Sequence, residues 1–164
     1  GSPMTPQEPA AKMPTAGGIP PEVLALAQMT LDEFEDTTWG DPPEDATYVQ
    51  HTCYELRRTP LGQFEAEDLR IMIGQQIGLE LLVPRALGAL IQQPLIEADM
   101  YPGDLLRAVL ALPDSFWHSH PAEDQRLRVA VAAFDAIDPN DPENPLLFAD
   151  FAAALASTRR RWAR

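Results

Sequence analysis

Cysteine, basic residues and long apolar runs are all scarce in this chain of 164 residues. Cys53 is the single cysteine, so no intramolecular disulfide can form, which suits a reducing compartment. No stretch approaches the roughly 20 consecutive apolar residues a membrane helix needs. The N-terminus has no basic region followed by an apolar one of the secretory kind, so the expected location is cytoplasmic. Strand-length alternation of apolar and polar residues is missing. There is no phosphate-cradling glycine loop ending in lysine, no GxSxG and no HExxH, so no enzyme signature nominates a residue set.

Charge is the strongest feature present. Twenty-five acidic against 12 basic side chains give −13. Four of the basic groups, Arg159, Arg160, Arg161 and Arg164, close the chain, so the first 158 residues carry −17. Such a field repels nucleic acid and anionic membranes and favours a basic partner. Between Lys12 and Arg57 there is no cation, yet Asp32, Glu33, Glu35, Asp36, Asp41, Glu44 and Asp45 all lie there, with Trp39 among them. A solvated acid-rich helix start explains this, and so does an interface anchor with a charged rim.

Apolar residues recur at helical spacing. Leu69, Ile73 and Ile77 fall at i, i+4 and i+8, and Leu105, Val109 and Leu112 at i, i+4 and i+7. The stretch from 65 to 112 is the scaffold of the chain. Gly74 and Gly78 are expected to supply positive φ or close approach at the end of its first helix. Pro84 should kink or restart the second, Pro94 close it, and Asp104 cap the third after the Pro102-Gly103 turn. Upstream, Pro21 opens a helix over 22–29, Thr30 with Glu33 forms a capping box, and Asp45 caps a helix over 46–58 with Val49, Cys53 and Leu56 on one face. Downstream, Asp114 and Ser115 begin a short turn bearing Phe116 and Trp117. Pro121 opens a helix with the stripe Leu127, Ala130, Val131, Phe134 and Ile137. Asp138 to Pro142 break it, and Asn144-Pro145 starts the last helix, along which Leu147, Phe151 and Leu155 line up. Gly1-Ser2-Pro3 reads as an expression-tag remnant, and the Pro- and Ala-rich segment to residue 21 as a flexible arm. The expected architecture is all-α: one irregular helical bundle of about seven or eight helices over residues 22–164.

Other chemistry is weakly supported. His51 and Cys53, two apart on a helix, point about 200° apart and do not share a metal or act as base and nucleophile. His118 and His120 could share one, but lone histidines beside Trp117 and Pro121 are more often packed polar groups. Cys53 on an apolar face reads as a small buried hydrophobe. Glu65, Glu67, Asp68 and Glu80 have an ordinary helix-start role. No metal and no cofactor is expected.

Against this background the run EDLRIMIGQQIGLELLVPRAL followed by PLIEADMYPGDLL resembles the family of bacterial contact-dependent growth inhibition immunity proteins. LDEFEDTTWGDPP and the stretch Tyr-Glu-Leu-Arg-Arg-Thr-Pro-Leu are similar too, so the likeness spans about Leu31 to Leu112. IGQQIGLE and YPGDLL are its most specific pieces. Two departures stand out: the arm before Ile19 lies outside the pattern, and Ala98 stands where the pattern has glycine. The resemblance implies a non-enzymatic protein that binds the C-terminal domain of a cognate surface-exposed toxin. Many such toxins are nucleases with basic clefts, which an acidic protein would match. An acidic adaptor without a toxin partner is the alternative. The surface expected to meet the toxin is Asp32, Glu33, Glu35, Asp36, Trp39, Asp41, Glu44 and Asp45, with Glu97 and Asp99 as secondary candidates. The motif residues Leu69, Ile73, Gly74, Gly78, Pro84, Tyr101, Gly103 and Asp104 are expected to determine the fold.

Overall fold

The computed structural model describes residues 20–164, apart from the side chain of Leu147; residues 1–19, on which the expected tag remnant and most of the expected arm fall, lie outside the described residues. The architecture is all-α. Among the described residues there are nine α-helices and no strand: α1 Pro21–Gln28, α2 Leu31–Glu35, α3 Tyr48–Leu56, α4 Ala66–Gly74, α5 Leu79–Gln92, α6 Asp104–Leu110, α7 Asp114–Ser119, α8 Pro121–Asp135 and α9 Ala149–Ala163. Single 3-10 turns at Leu61–Gln63 and Pro145–Leu147 precede α4 and α9. The count exceeds the expected seven or eight partly because the turn at Asp114 winds into a short helix that buries Phe116 and Trp117.

The apolar stripe of α5 places Leu82, Val83, Ala86, Leu87 and Leu90 fully in the core. Burial of each large aliphatic chain contributes about 2 kcal/mol. α5 lies on α8, α4 packs on both α5 and α6, and α6 lies on α9. Leu69 and Ile73 of α4 are buried as their spacing requires, whereas Ile77 falls beyond the helix and is only half-buried.

Several local expectations are corrected. Of the two outcomes expected at Pro84, a kink or a restart, the restart does not occur: α5 runs through Pro84, because the buried residues on either side hold the helix together. Gly74 is an ordinary helical residue with open space beside it, and the positive φ at that corner falls on Gln76 and Gly78. Gly78 behaves as expected: with φ +68°, a Cβ there would sit 2.8 Å from both methyls of Leu31. The N-cap of α3 is Thr47, reciprocally bonded with Gln50, and not Asp45. The N-cap of α6 is Gly103, with φ +95°, so Asp104 is freed for another task. Asn144 caps the 3-10 turn, bonding Leu146 N–H, and α9 begins only at Ala149. The Thr30–Glu33 capping box and the Pro21 and Pro121 helix starts are as expected.

The C-terminal arginines do more than complement a helix dipole. Arg159 donates to Asp135 at 2.6 Å, Arg161 to Asp124 at 2.9 Å and Arg164 to Asp114 at 2.8 Å. Trp162 Nε1 donates to the same Asp124 oxygen at 3.0 Å. These contacts fasten α9 across α7 and α8.

Candidate functional site

The acid-rich segment divides into carboxylates that are used internally and carboxylates that are not. Arg57, at the end of α3, is 1% exposed. Its Nε donates to Asp32 Oδ1 at 2.8 Å, its Nη1 to Glu35 Oε1 at 2.6 Å and its Nη2 to the Thr37 carbonyl at 3.2 Å. A buried guanidinium is strongly disfavoured without such partners. The Trp39 ring covers the same group, 4.5 Å from ring centroid to Cζ, and meets the Tyr54 ring edge to face with centroids 5.0 Å apart. Trp39 is nonetheless 38% exposed. Glu33 is occupied by the N–H of Thr30 at 2.9 Å. Asp36, in the left-handed conformation, terminates α2. Asp36, Asp41, Glu44 and Asp45 are exposed, and the one ion pair they make among the described residues, Asp41 with Arg58 at 3.7 Å, is too open to matter much.

The secondary candidates sit on a loop fixed from beneath. Asp104 is 2% exposed. Its Oδ1 accepts from Ala98 N–H at 2.7 Å, and its Oδ2 from Met100 N–H at 2.9 Å and Tyr101 N–H at 3.3 Å. Arg70 reaches the same loop, donating to the Ala98 carbonyl at 2.7 Å with its Nε 3.7 Å from Asp104. Ala98 in place of glycine is accommodated because the positive φ of the turn, +82°, belongs to Asp99 instead. Gly103 has no such latitude, since a Cβ there would approach Pro145 to 2.8 Å. The loop holds Glu97 and Asp99 out in solvent, with Met100 65% exposed beside them.

Two concavities flank this loop. A cleft of 330 Å³ is lined by Arg70, Tyr101, Asp104, Arg107 and Asp150. The Tyr101 ring tilts over Phe148 with centroids 4.6 Å apart. Its hydroxyl is buried without a hydrogen-bond partner. Burial first, then the Asp150 charge, push that phenol up, so it stays neutral. Arg107 Nε lies 3.2 Å from Asp150 but is not aligned for a hydrogen bond, so the contact is a charge pair only. On the other side Glu97 joins Leu95, Ile96, Ile137, Asp141 and Glu143 around a groove of 530 Å³ lined by no cation among the described residues. Asp141 and Glu143 were not legible as surface candidates because the segment from Asp138 to Pro142 reads as a helix break. The signal available was its acidity.

The residues considered for catalysis are placed otherwise. His120 stacks on Phe116 with centroids 4.1 Å apart, its Nδ1 is 2.8 Å from the Phe116 carbonyl and its Nε2 is 2.7 Å from Glu80. Both partners accept, so both nitrogens donate and the imidazolium is favoured. The Glu80 hydrogen bond, then the Phe116 carbonyl, push its pKa up against the effect of burial. Asp68 accepts from Glu65 N–H at 2.9 Å at the start of α4. Cys53 is buried, and burial pushes its thiol up, away from the reactive thiolate. Among the described residues no group of three or more His, Cys, Asp or Glu is arranged to hold a metal ion, and no helix is long and apolar enough to cross a membrane.

The His120–Glu80 contact joins α7 to α5 and has a pH signature. A histidine whose pKa is raised on folding contributes stability fully below its unfolded value, about 6.5, and loses it as pH rises through the folded value. His120→Ala is therefore expected to lower the melting temperature more at about pH 5.5 than at about pH 8.5. Thermal scans of both proteins at the two pH values check this, and equal decrements would refute the assignment.

Comparison with known proteins follows the same residues. No curated protein and no solved structure matches the chain. The profile of a family described as CDI immunity proteins matches residues 33–127, more than half of the chain, from the acid-rich segment through the Asp104 lock into α8. This chain belongs to the family of contact-dependent growth inhibition immunity proteins.

Proposed function

We propose that the chain is a non-enzymatic inhibitor that binds the C-terminal toxin domain of a cognate contact-dependent growth inhibition effector in the cytoplasm. The toxin is a nuclease whose basic substrate cleft the acidic protein occupies in place of phosphates. Family membership carries the reading, and the charge of −13 gives it a mechanism. Complementary fields steer association and exclude wrong partners.

The toxin-facing surface combines Asp36, Asp41, Glu44 and Asp45 with Glu97 and Asp99. Asp32, Glu35 and Trp39 support that surface through Arg57 rather than meeting the toxin with free charge. Glu33 takes the same supporting part through its cap.

Co-expression with a fragment of the cognate toxin, followed by pull-down and a nucleic-acid degradation assay, tests the function. Reversing Asp36, Asp41 and Glu44 together to lysine is expected to raise the dissociation constant about tenfold or more, with the thermal transition lowered only slightly, by the left-handed backbone at Asp36 that lysine tolerates less well than aspartate. Unaltered affinity would move the surface elsewhere. Unprotected DNA and RNA in the presence of the wild-type chain would end the nuclease-inhibitor reading.

A further inference from the structure

We infer that the groove between the end of α5 and the segment after α8 is an anchoring pocket for long basic side chains of the toxin domain. The inference rests on the reading of the chain as a toxin-binding protein and names one surface within it. The groove has an apolar floor, Leu95, Ile96 and Ile137, and an acidic wall, Glu97, Asp141 and Glu143, with no lysine or arginine among the described residues that line it. The three floor residues are half-buried and pack against the core, so the floor is fixed. Asp141 is held in place by accepting the Glu143 N–H at 2.8 Å. Glu97 and Glu143 are exposed, and their carboxylates make no hydrogen bond or ion pair among the described residues. Glu97 is also held at the backbone by an isolated antiparallel bridge to Pro102, on the loop that Asp104 locks from below.

This arrangement suits an amphipathic cation. An arginine or lysine lays its methylene stem on an apolar surface and keeps its charged head among carboxylates. The opposite cleft, on the Tyr101 side, is a poorer site for the same partner. Its carboxylates are Asp104, paired with Arg70, and Asp150, paired with Arg107, so a second cation would enter beside two resident ones. The 530 Å³ of the first groove accommodates at least one such side chain with part of the backbone that carries it. The occupant is therefore a basic surface segment of the toxin, with apolar stems downward and charged heads between Glu97 and Glu143.

The test uses the whole 164-residue chain and the C-terminal domain of the cognate toxin. In the double variant Glu97→Lys, Glu143→Lys the dissociation constant is expected to rise about 100-fold, and its dependence on salt to weaken. Glu97→Gln with Glu143→Gln, which keeps the shape and removes the charge, should give an increase of about tenfold. Both proteins should keep the wild-type melting temperature, because neither carboxylate has a partner among the described residues. A wild-type chain that binds the toxin while both variants bind within about threefold of it would overturn the groove and leave the toxin-binding reading intact. A wild-type chain that does not bind the toxin would overturn both. Wild-type self-association that the lysine variant abolishes, measured by sedimentation at several concentrations, would assign the groove to a second copy of the chain and overturn the proposal.

Discussion

Asp104→Ala is expected to lower the stability of the protein by about 3–5 kcal/mol, the cost of removing one partner from a buried charge pair. One carboxylate accepts three backbone N–H groups, from Ala98, Met100 and Tyr101, and faces Arg70. Alanine leaves the Ala98 N–H, buried with its residue, without an acceptor, and an unsatisfied buried donor costs about 1–3 kcal/mol by itself. It also leaves the Arg70 guanidinium, 21% exposed, with only the Ala98 carbonyl. Because the lost groups span the whole 97–102 loop, the variant should unfold that loop before the rest. Chemical denaturation monitored by circular dichroism gives the global value, and hydrogen exchange at Met100 and Tyr101 gives the local one. Asp104→Asn retains one acceptor oxygen and should fall between. A loss below about 1 kcal/mol in the alanine variant would show that the loop is held by something other than this carboxylate.

Arg57→Met, which keeps much of the volume and removes the charge, should cost about 3 kcal/mol or more for the same reason. Its effect differs in kind, because Arg57 is the common partner of Asp32, Glu35, the Thr37 carbonyl and the face of Trp39. Without it two neighbouring carboxylates repel one another and Trp39 loses the cation beneath its ring, a contact worth about 1 kcal/mol. The segment from Asp32 to Trp39 should detach while the bundle of α4, α5, α6, α8 and α9 remains folded. Tryptophan fluorescence would then report a solvent-exposed Trp39 at denaturant concentrations where the far-ultraviolet signal is still native. A single coincident transition would mean that the segment and the bundle unfold as one unit.

Helical periodicity and punctuation were legible in the sequence wherever a local signal decides the outcome. The Thr30–Glu33 box, the proline helix starts and the stripes of α6 and α8 all depend on residues within one or two turns of each other. Expectations failed where a distant contact decides. Pro84 is tolerated inside α5 because core packing on both sides outweighs a lost backbone hydrogen bond. Asp104 has the identity of a helix cap, yet the turn before it ends on Gly103, and the carboxylate folds back onto a loop that only tertiary structure brings within reach. The same limit applies to the surface. Charge density singles out the segment from Asp32 to Asp45, but it cannot distinguish carboxylates consumed by Arg57 from those left in solvent. Nor does it join Glu97 to Asp141 and Glu143, which are more than 40 positions away and meet only across one groove.

The methyls of Leu31 rest against the bare backbone of Gly78, and Arg57 clasps the chain a few residues further on. The acidic stretch is thus pinned at two points before any partner arrives. The conformational freedom of its backbone is surrendered during folding rather than at the moment of complex formation. A complex made with such a rigid face is expected to owe its persistence to slow dissociation.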